Sequence, residues 1–163
     1  MKIDIIGLDK TISAIKEYKA SLEIKQKRML EKLAEIGIKE ADMCFHSVHY
    51  DGEYDISLFP VWVDDNTLAV TAQGSSLLFI EFGSGLIGYG HPLAEEKGYG
   101  PGTWSDNESL GGKGQWDNPA GWIYAHDENR SFGNEPARGM YNASKKMRNN
   151  IATIAREVFN DRH

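Results

Sequence analysis

The sequence predicts an α+β fold, in which a small antiparallel β-sheet packs with a long N-terminal helix and a C-terminal helix. Three observations support this prediction. Apolar residues recur at helical spacing near both ends, two apolar runs flank a turn within residues 53–82, and residues 83–135 hold 12 of the 17 glycines and three of the four tryptophans. A chain of 163 residues suits one domain. We therefore predict a single domain over residues 1–163, with an extended Gly- and Trp-rich loop inserted at about 86–135.

The N-terminal region has the spacing of an amphipathic helix. We predict a long helix from about residue 21 to about residue 46, preceded by a shorter helix, with a short strand over residues 1–6. A helix of that length exceeds the usual ~11–12 residues, so we expect it to pack along a whole sheet or along another chain. The apolar positions are Leu8, Ile12, Ile15 and Tyr18, followed by Leu22, Met29, Leu33 and Ile36.

The next region is predicted to be β-rich. The runs SLFPVWVD and TLAVTAQ flank Asp65 and Asn66, which tolerate the positive φ of a tight hairpin turn. Pro60 removes a backbone donor, so its strand should lie at a sheet edge or carry a bulge. Residues 75–82 are predicted to form a third strand.

A second amphipathic helix is predicted near the C-terminus. Asn134 is a candidate N-cap, with Glu135 and Pro136 in the first turn. Its charged side is either a solvated surface or a contact with an acidic neighbouring subunit. The apolar stripe consists of Met140, Ser144, Met147, Ile151, Ile154 and Val158, and the basic residues are Lys145, Lys146, Arg148 and Arg156.

Composition excludes several classes of protein. The formal net charge is -6 and the isoelectric point is about 5.4, which disfavours binding to a phosphate backbone. Cys44 is the single cysteine, so the chain cannot form an internal disulfide. The N-terminal residues lack the sustained apolar run of a signal peptide, and no segment approaches the ~20 apolar residues of a membrane span. We expect a soluble protein made inside a cell, with no membrane partner.

A glycine motif raises the question of nucleotide binding. Gly83, Gly85 and Gly88 form G-x-G-x-x-G after an apolar run. The dinucleotide fingerprint needs a helix after its last glycine and a second strand beyond it. Gly90 and Pro92 oppose such a helix, and no second apolar strand follows. We interpret the motif as the end of a strand that needs a flexible backbone or positive φ, and we predict no cofactor site.

The candidate metal and acid–base residues give no defined site. Cys44, His46 and His49 form C-x-H-x-x-H, but a fourth ligand is missing, and positions 44 and 46 point apart on a helix. We predict neither a metal site nor catalytic residues. The residues that could supply a general base or paired carboxylates are Glu81, His91, His126, Asp127 and Glu128, whose spacing does not show that they converge.

The predicted loop is rich in large aromatic residues. Trp104, Trp116 and Trp122 are predicted to contact a partner subunit, because tryptophan is enriched at the centre of protein interfaces. We expect these residues to lose more solvent exposure in an assembly than in the isolated chain. The alternatives are an intramolecular core and the stacking of a glycan or nucleic-acid ligand.

A family resemblance is carried by the stretch FIEFGSG. It is similar to an aromatic–x–Glu–aromatic–Gly–Thr/Ser–Gly pattern in the neck or tail-completion proteins of long-tailed bacteriophages. Pro136 and Ala137 loosely match the family's approach to its last helix. The chain departs from the family in its middle, where residues 86–135 are longer and richer in Gly and Trp. The matching motif residues are Phe79, Glu81, Phe82, Gly83, Ser84 and Gly85.

The resemblance implies a structural role without chemistry. Such proteins form homo-oligomeric rings in the neck or at the head-proximal end of the tail, joining head and tail. Their neighbours are connector and tail proteins, and DNA passes through the channel without specific binding. The implied location is the virion, assembled in the bacterial cytoplasm. Glu81 is then expected to bond backbone or a basic partner, and on a strand it would share a face with Phe79. The alternative function is a phage-encoded or bacterial cell-wall glycan hydrolase or glycan-binding module that uses the aromatic loop.

Overall fold

The structure of the protein, a computed structural model, describes residues 7–50, 53–85, 87–88, 90–97, 122–123 and 130–160. The helices are α1 (Leu8–Ser47), α2 (Leu77–Phe82), α3 (Ala94–Lys97) and α4 (Gly139–Asn160). The strands are β1 (Ser57–Asp64), β2 (Thr67–Gln73), β3 (Ser84–Gly85), β4 (Trp122–Ile123), β5 (Arg130–Ser131) and β6 (Gly133–Asn134). The predicted α+β class is confirmed, since the long N-terminal helix packs on the C-terminal helix and a small antiparallel sheet lies beside them.

Helix α1 is a single element of 40 residues, so the prediction of two helices in this region was wrong. The two apolar segments join through Ala20, Ser21 and Leu22, and none of these residues breaks a helix. The predicted boundary within α1 corresponds to a change from exposed to buried residues along one continuous helix. Residues 8–20 are all exposed, whereas residues 33–45 include the residues of α1 that are buried.

The predicted hairpin is confirmed. β1 and β2 pair antiparallel across a turn at Asp65 and Asn66, with Leu58 opposite Ala72. Pro60 lies in a two-stranded sheet, so its strand has an unshared edge, as expected for proline. A shift of register between Trp62 and Asp64 places an irregularity next to the turn.

Residues 75–82 do not form the predicted third strand. Residues 77–82 form helix α2, in which Ile80 is fully buried. A short apolar run does not by periodicity alone distinguish a buried strand from a buried helix. Phe79 and Glu81 therefore do not share a face as they would on a strand, because residues two apart point in different directions on a helix.

Helix α4 runs antiparallel to α1. Lys32 forms an ion pair with Glu157, and Lys146 lies 3.5 Å from Glu40 nearer the other end of the pair. Small residues let the helices approach closely, since a Cβ on Gly139 would lie 2.7 Å from the Phe45 ring. The two core clusters consist of Ala41, Phe45, Ile80, Ala137 and Ala143 and of Leu33, Ile154 and Val158.

The ends of the predicted loop are joined by a short β-pair. Ser84 pairs with Asn134 and Gly85 with Gly133, so the chain leaves and re-enters the α+β core at one place. A second short pair joins β4 and β5. Among the described residues, no helix combines the length and apolar character needed to cross a membrane.

Candidate functional site

The C-terminal end of α2 meets the N-terminal end of α4, and we call this meeting point the α2–α4 junction. The last carbonyl groups of α2 accept hydrogen bonds from the segment that leads into α4. These bonds are Asn134 Nδ2 to Phe79 O (2.9 Å), Ala137 N to Ile80 O (2.8 Å) and Arg138 N to Glu81 O (3.2 Å). A helix otherwise leaves its last carbonyls without partners, so these bonds complete α2.

The Glu81 carboxylate completes α4 in return. Its Oε2 accepts the N–H of Met140 at 2.9 Å, and its Oε1 accepts the N–H of Tyr141 at 3.2 Å. These amides belong to the first turn of α4, where backbone donors lack helical partners and the helix dipole favours negative charge. The expectation that Glu81 bonds backbone is confirmed. The predicted N-cap, Asn134, was wrong, because Asn134 lies in β6, before the helix begins.

His91 supplies a further hydrogen-bond partner for the Glu81 carboxylate. Its Nε2 lies 3.1 Å from Glu81 Oε1, and both side chains are buried. His91 Nδ1 accepts the N–H of Leu93 at 3.1 Å, so the ring proton resides on Nε2 and points at the carboxylate. The ring also packs against Phe82, with centroids 4.3 Å apart.

The Gly-Ser-Gly part of the motif supports the exit of the chain from α2. Gly83 has φ of 79° and Gly85 has φ of 64°, which favour glycine. The predicted need for positive φ at these glycines is confirmed, although a helix and not a strand precedes them. Ser84 donates from its hydroxyl to the Asn134 side chain, and both residues are buried. The motif therefore holds together α2, the loop ends and the start of α4.

The N-terminal end of α2 is fixed by Asp55. Its carboxylate accepts the N–H of Ser75 at 2.6 Å and the N–H of Ser76 at 3.0 Å, together with the Ser76 hydroxyl. Hydrogen bonds from Ser76 and then Ser75 hold the pKa of Asp55 well below its ordinary value. This cap links the hairpin base to α2.

A groove of about 670 Å³ lies beside the junction, between α2, α3 and α4. Its lining is mainly apolar, with Glu81 and His91 among the lining residues and three basic side chains contributing to it. The apolar lining includes Leu77, Leu78, Phe82, Leu93, Met140 and Tyr141, and the basic residues are Lys97, Lys145 and Arg148.

The pairing of Glu81 with His91 brings together two of the predicted acid–base candidates, although their spacing in the sequence did not show it. Both carboxylate oxygens of Glu81 accept hydrogen bonds, and both ring nitrogens of His91 are engaged. A general base needs a ring nitrogen or oxygen within reach of a substrate proton. In this arrangement the pair joins the C-terminal end of α2 to the N-terminal end of α4.

The remaining candidates are placed as follows. Cys44 Sγ contacts the side-chain amide of Asn142 at 3.4 Å, and His46 Nδ1 lies 3.0 Å from Asp42 O. Within the described part of the chain, no group of three His, Cys, Asp or Glu side chains could hold a metal ion. Trp104, Trp116, His126, Asp127 and Glu128 lie outside the described residues, and Trp122 is described only as the backbone of β4.

Comparisons with protein-family models, with curated proteins and with solved structures find no match to this chain.

Sequence reasoning missed Asp55, and it missed the contacts through which His91 and Asn134 hold the site. Asp55 stands 21 positions before Ser76, so nothing local links it to α2. His91 was considered as a base and Asn134 as a helix cap, whereas both act through contacts with residues distant in the sequence. One signal in the sequence could have indicated these contacts. Glu81 is a lone glutamate within an apolar run, and a buried carboxylate needs hydrogen-bond partners.

Proposed function

We propose that this protein is a structural subunit of a phage or prophage-derived particle that forms a closed homo-oligomeric ring. Its place is the neck or the head-proximal end of the tail, next to connector and tail proteins. The observation that carries the proposal is the first half of α1, defined as residues 8–20. Every residue in this segment is exposed. Its apolar stripe, Leu8, Ile12, Ile15 and Tyr18, is between 41% and 66% exposed.

Such a segment supports assembly for two reasons. Isolated helices shorter than ~12–15 residues are marginal in water, and most helical stability comes from packing of an apolar face. A contiguous apolar surface on a soluble protein is characteristic of an interaction site. In a second copy of the chain the stripe can meet a different surface, and a heterologous contact of this kind closes into a ring when the rotation permits.

The FIEFGSG motif supports the phage assignment. Its residues bond the start of α4 and pair with Gly133 and Asn134, which suits the structural role without chemistry that the resemblance implies. A net charge of -6 on each subunit disfavours tight binding of DNA phosphates, which suits a channel through which DNA passes.

The mass of the purified chain in solution tests the proposal. We expect a closed oligomer by native mass spectrometry and rings in negative-stain images. The double variant Ile12→Glu/Ile15→Glu should be monomeric with an unchanged circular dichroism spectrum. Lys10→Glu is the matched control, because it changes the net charge by the same two units from the opposite side of the helix. A wild-type chain that remains monomeric at high concentration would contradict the proposal.

Gene order tests the phage assignment separately. Portal and major tail protein genes on either side of this gene are expected. If the protein forms rings but its gene lies among unrelated metabolic genes, the assembly proposal stands and the proposed location in a phage neck is wrong.

The second candidate is a hydrolase of cell-wall glycan, and the observation that favours it is the Glu81–His91 pair beside the groove. Purified peptidoglycan incubated with the protein tests it. Turnover that is lost in Glu81→Gln and retained in Glu96→Gln would support this candidate over the ring. The engagement of both ring nitrogens of His91 makes assembly the better supported of the two.

A further inference from the structure

The groove beside the α2–α4 junction is built to receive an apolar group. Its volume of about 670 Å³ is within the range of ~300–1,000 Å³ typical of binding pockets. The polar atoms of Glu81 and His91 are already hydrogen-bonded to each other and to backbone. The surface left for an occupant is therefore supplied mainly by apolar side chains, among them Leu77, Leu93 and Met140.

The basic side chains of the groove select the charge of the occupant. Lys145 and Arg148 lie on successive turns of α4, and Lys97 comes from α3. Arg148 and Lys145 are exposed, so they place positive charge at the surface of the groove. An occupant with acidic groups next to its apolar group would satisfy both parts of the groove.

The hairpin tip, defined as residues 61–65, has this combination. Its apolar part is Val61, Trp62 and Val63, and the most exposed of these is Val63, at 64%. Two acids follow directly. Asp65 lies 3.7 Å from Lys27 Nζ of the same chain, and its side chain is 94% exposed. Strands with apolar residues on both faces are typical of sheets covered on both sides, whereas this hairpin contacts α1 and leaves the tip exposed.

The tip and the groove of one chain are too far apart to meet. The tip lies beside the middle of α1, where Gln26 Nε2 is 3.2 Å from Asn66 Oδ1. The groove lies near the end of α1, where Cys44 contacts Asn142 of α4. At 1.5 Å per residue, positions 26 and 44 are separated by about 27 Å along the helix. Only a tip from another molecule can reach the groove.

We propose that the hairpin tip of one subunit docks in the groove of the next subunit. Residues 61–63 contact the apolar lining, while Asp64 and Asp65 face Lys145 and Arg148. This contact joins two different surfaces, and such heterologous contacts close into rings when the rotation permits. The inference rests on the proposed function, since it adds a second contact between neighbouring subunits of the ring to the one made by residues 8–20.

A charge exchange between the two surfaces tests the contact. The variants Asp65→Lys and Lys145→Glu are each expected to weaken self-association about five- to tenfold, because each places like charges in contact. The double variant Asp65→Lys/Lys145→Glu should recover affinity to within about threefold of the wild type. Dissociation constants are measured by sedimentation velocity, and Lys10→Glu is the control for Lys145→Glu, because it makes the same charge change outside both surfaces.

A cross-link locates the contact directly. Val63→Cys and Ser144→Cys are introduced into separate chains in a Cys44→Ala background, and the chains are mixed under mild oxidation. We expect a disulfide-linked dimer from this mixture and none when Ser13→Cys replaces Ser144→Cys. These variants leave the residues of the α2–α4 junction unchanged.

The outcomes separate this inference from the ring itself. If the wild type assembles while the charge variants assemble equally well and no cross-link forms, the tip–groove contact is wrong and the ring proposal stands. If Lys145→Glu weakens assembly without rescue by Asp65→Lys, another segment or ligand occupies the groove, and the inference is overturned. A wild type that stays monomeric overturns both.

Discussion

The two halves of α1 have apolar residues at similar spacing but different surroundings. The second half, residues 33–45, packs against α4 and contains Ala41 and Phe45, which are almost fully buried. The first half, residues 8–20, exposes its apolar stripe. Helical periodicity therefore predicts that one face of a helix is buried, but it does not identify what buries that face. One half is stabilised within the chain, and the other is available to a partner.

The largest expected effect lies in the buried half. Phe45→Ala should lower the free energy of unfolding by about 3–5 kcal/mol, because it removes a ring that packs against Gly139 and leaves a cavity. Urea unfolding at a concentration where the chain is monomeric measures it. Met43→Ala is the control, since Met43 is 62% exposed two positions away. If both substitutions lowered the free energy of unfolding equally, the contrast between a buried Phe45 and an exposed Met43 would be wrong.

The next effect concerns the junction that holds α4 against the buried half. Glu81→Ala should lower the free energy of unfolding by about 3 kcal/mol, because it leaves two backbone donors and the His91 ring without an acceptor. Glu81→Gln should cost less, since an amide oxygen still accepts one of these bonds. Glu96→Ala, an exposed carboxylate beside Lys97, is the control in the same urea assay. A neutral Glu81→Ala would show that the junction does not stabilise the fold.

Low pH should weaken the hydrogen bonds by which Asp55 holds the start of α2. Because the folded-state pKa of Asp55 is held below its ordinary value of 3.8, its contribution to stability is fully present above that value and is lost as the pH falls below it. The urea midpoint of the wild type should therefore drop on going from pH 5 to pH 3 by more than that of Asp55→Asn. Parallel pH profiles for the two proteins would contradict the assigned cap.

The smallest effect on folding belongs to the exposed half. Ile15→Ser should change the free energy of unfolding of the monomer by less than about 0.5 kcal/mol, because Ile15 is 63% exposed. The same substitution should weaken self-association, measured by sedimentation velocity. A large loss of monomer stability would mean that the first half of α1 is packed within its own chain.

The α+β class, the hairpin and the terminal helices could be read from the sequence because each depends on local pattern. Alternating and helical periodicities mark which face of an element is apolar, and Asp65 and Asn66 suit a tight turn. Three local inferences failed where the pattern was ambiguous, and the first of them divided helix α1 in two. The run around Ile80 is short enough to fit either a strand or a helix, and Asn134 has the chemistry of a cap without the position of one.

The site itself depended on contacts that no local pattern contains. Glu81 meets Met140 across 59 positions, and Ser84 meets Asn134 across 50. Local sequence preferences specify the two long helices and the hairpin, because those preferences act over a few residues. Contacts between distant segments make Glu81 cap α4, pair His91 with Glu81 and leave residues 8–20 of α1 exposed. Burial and hydrogen-bond partners are set by which distant segments meet, and periodicity does not encode that choice.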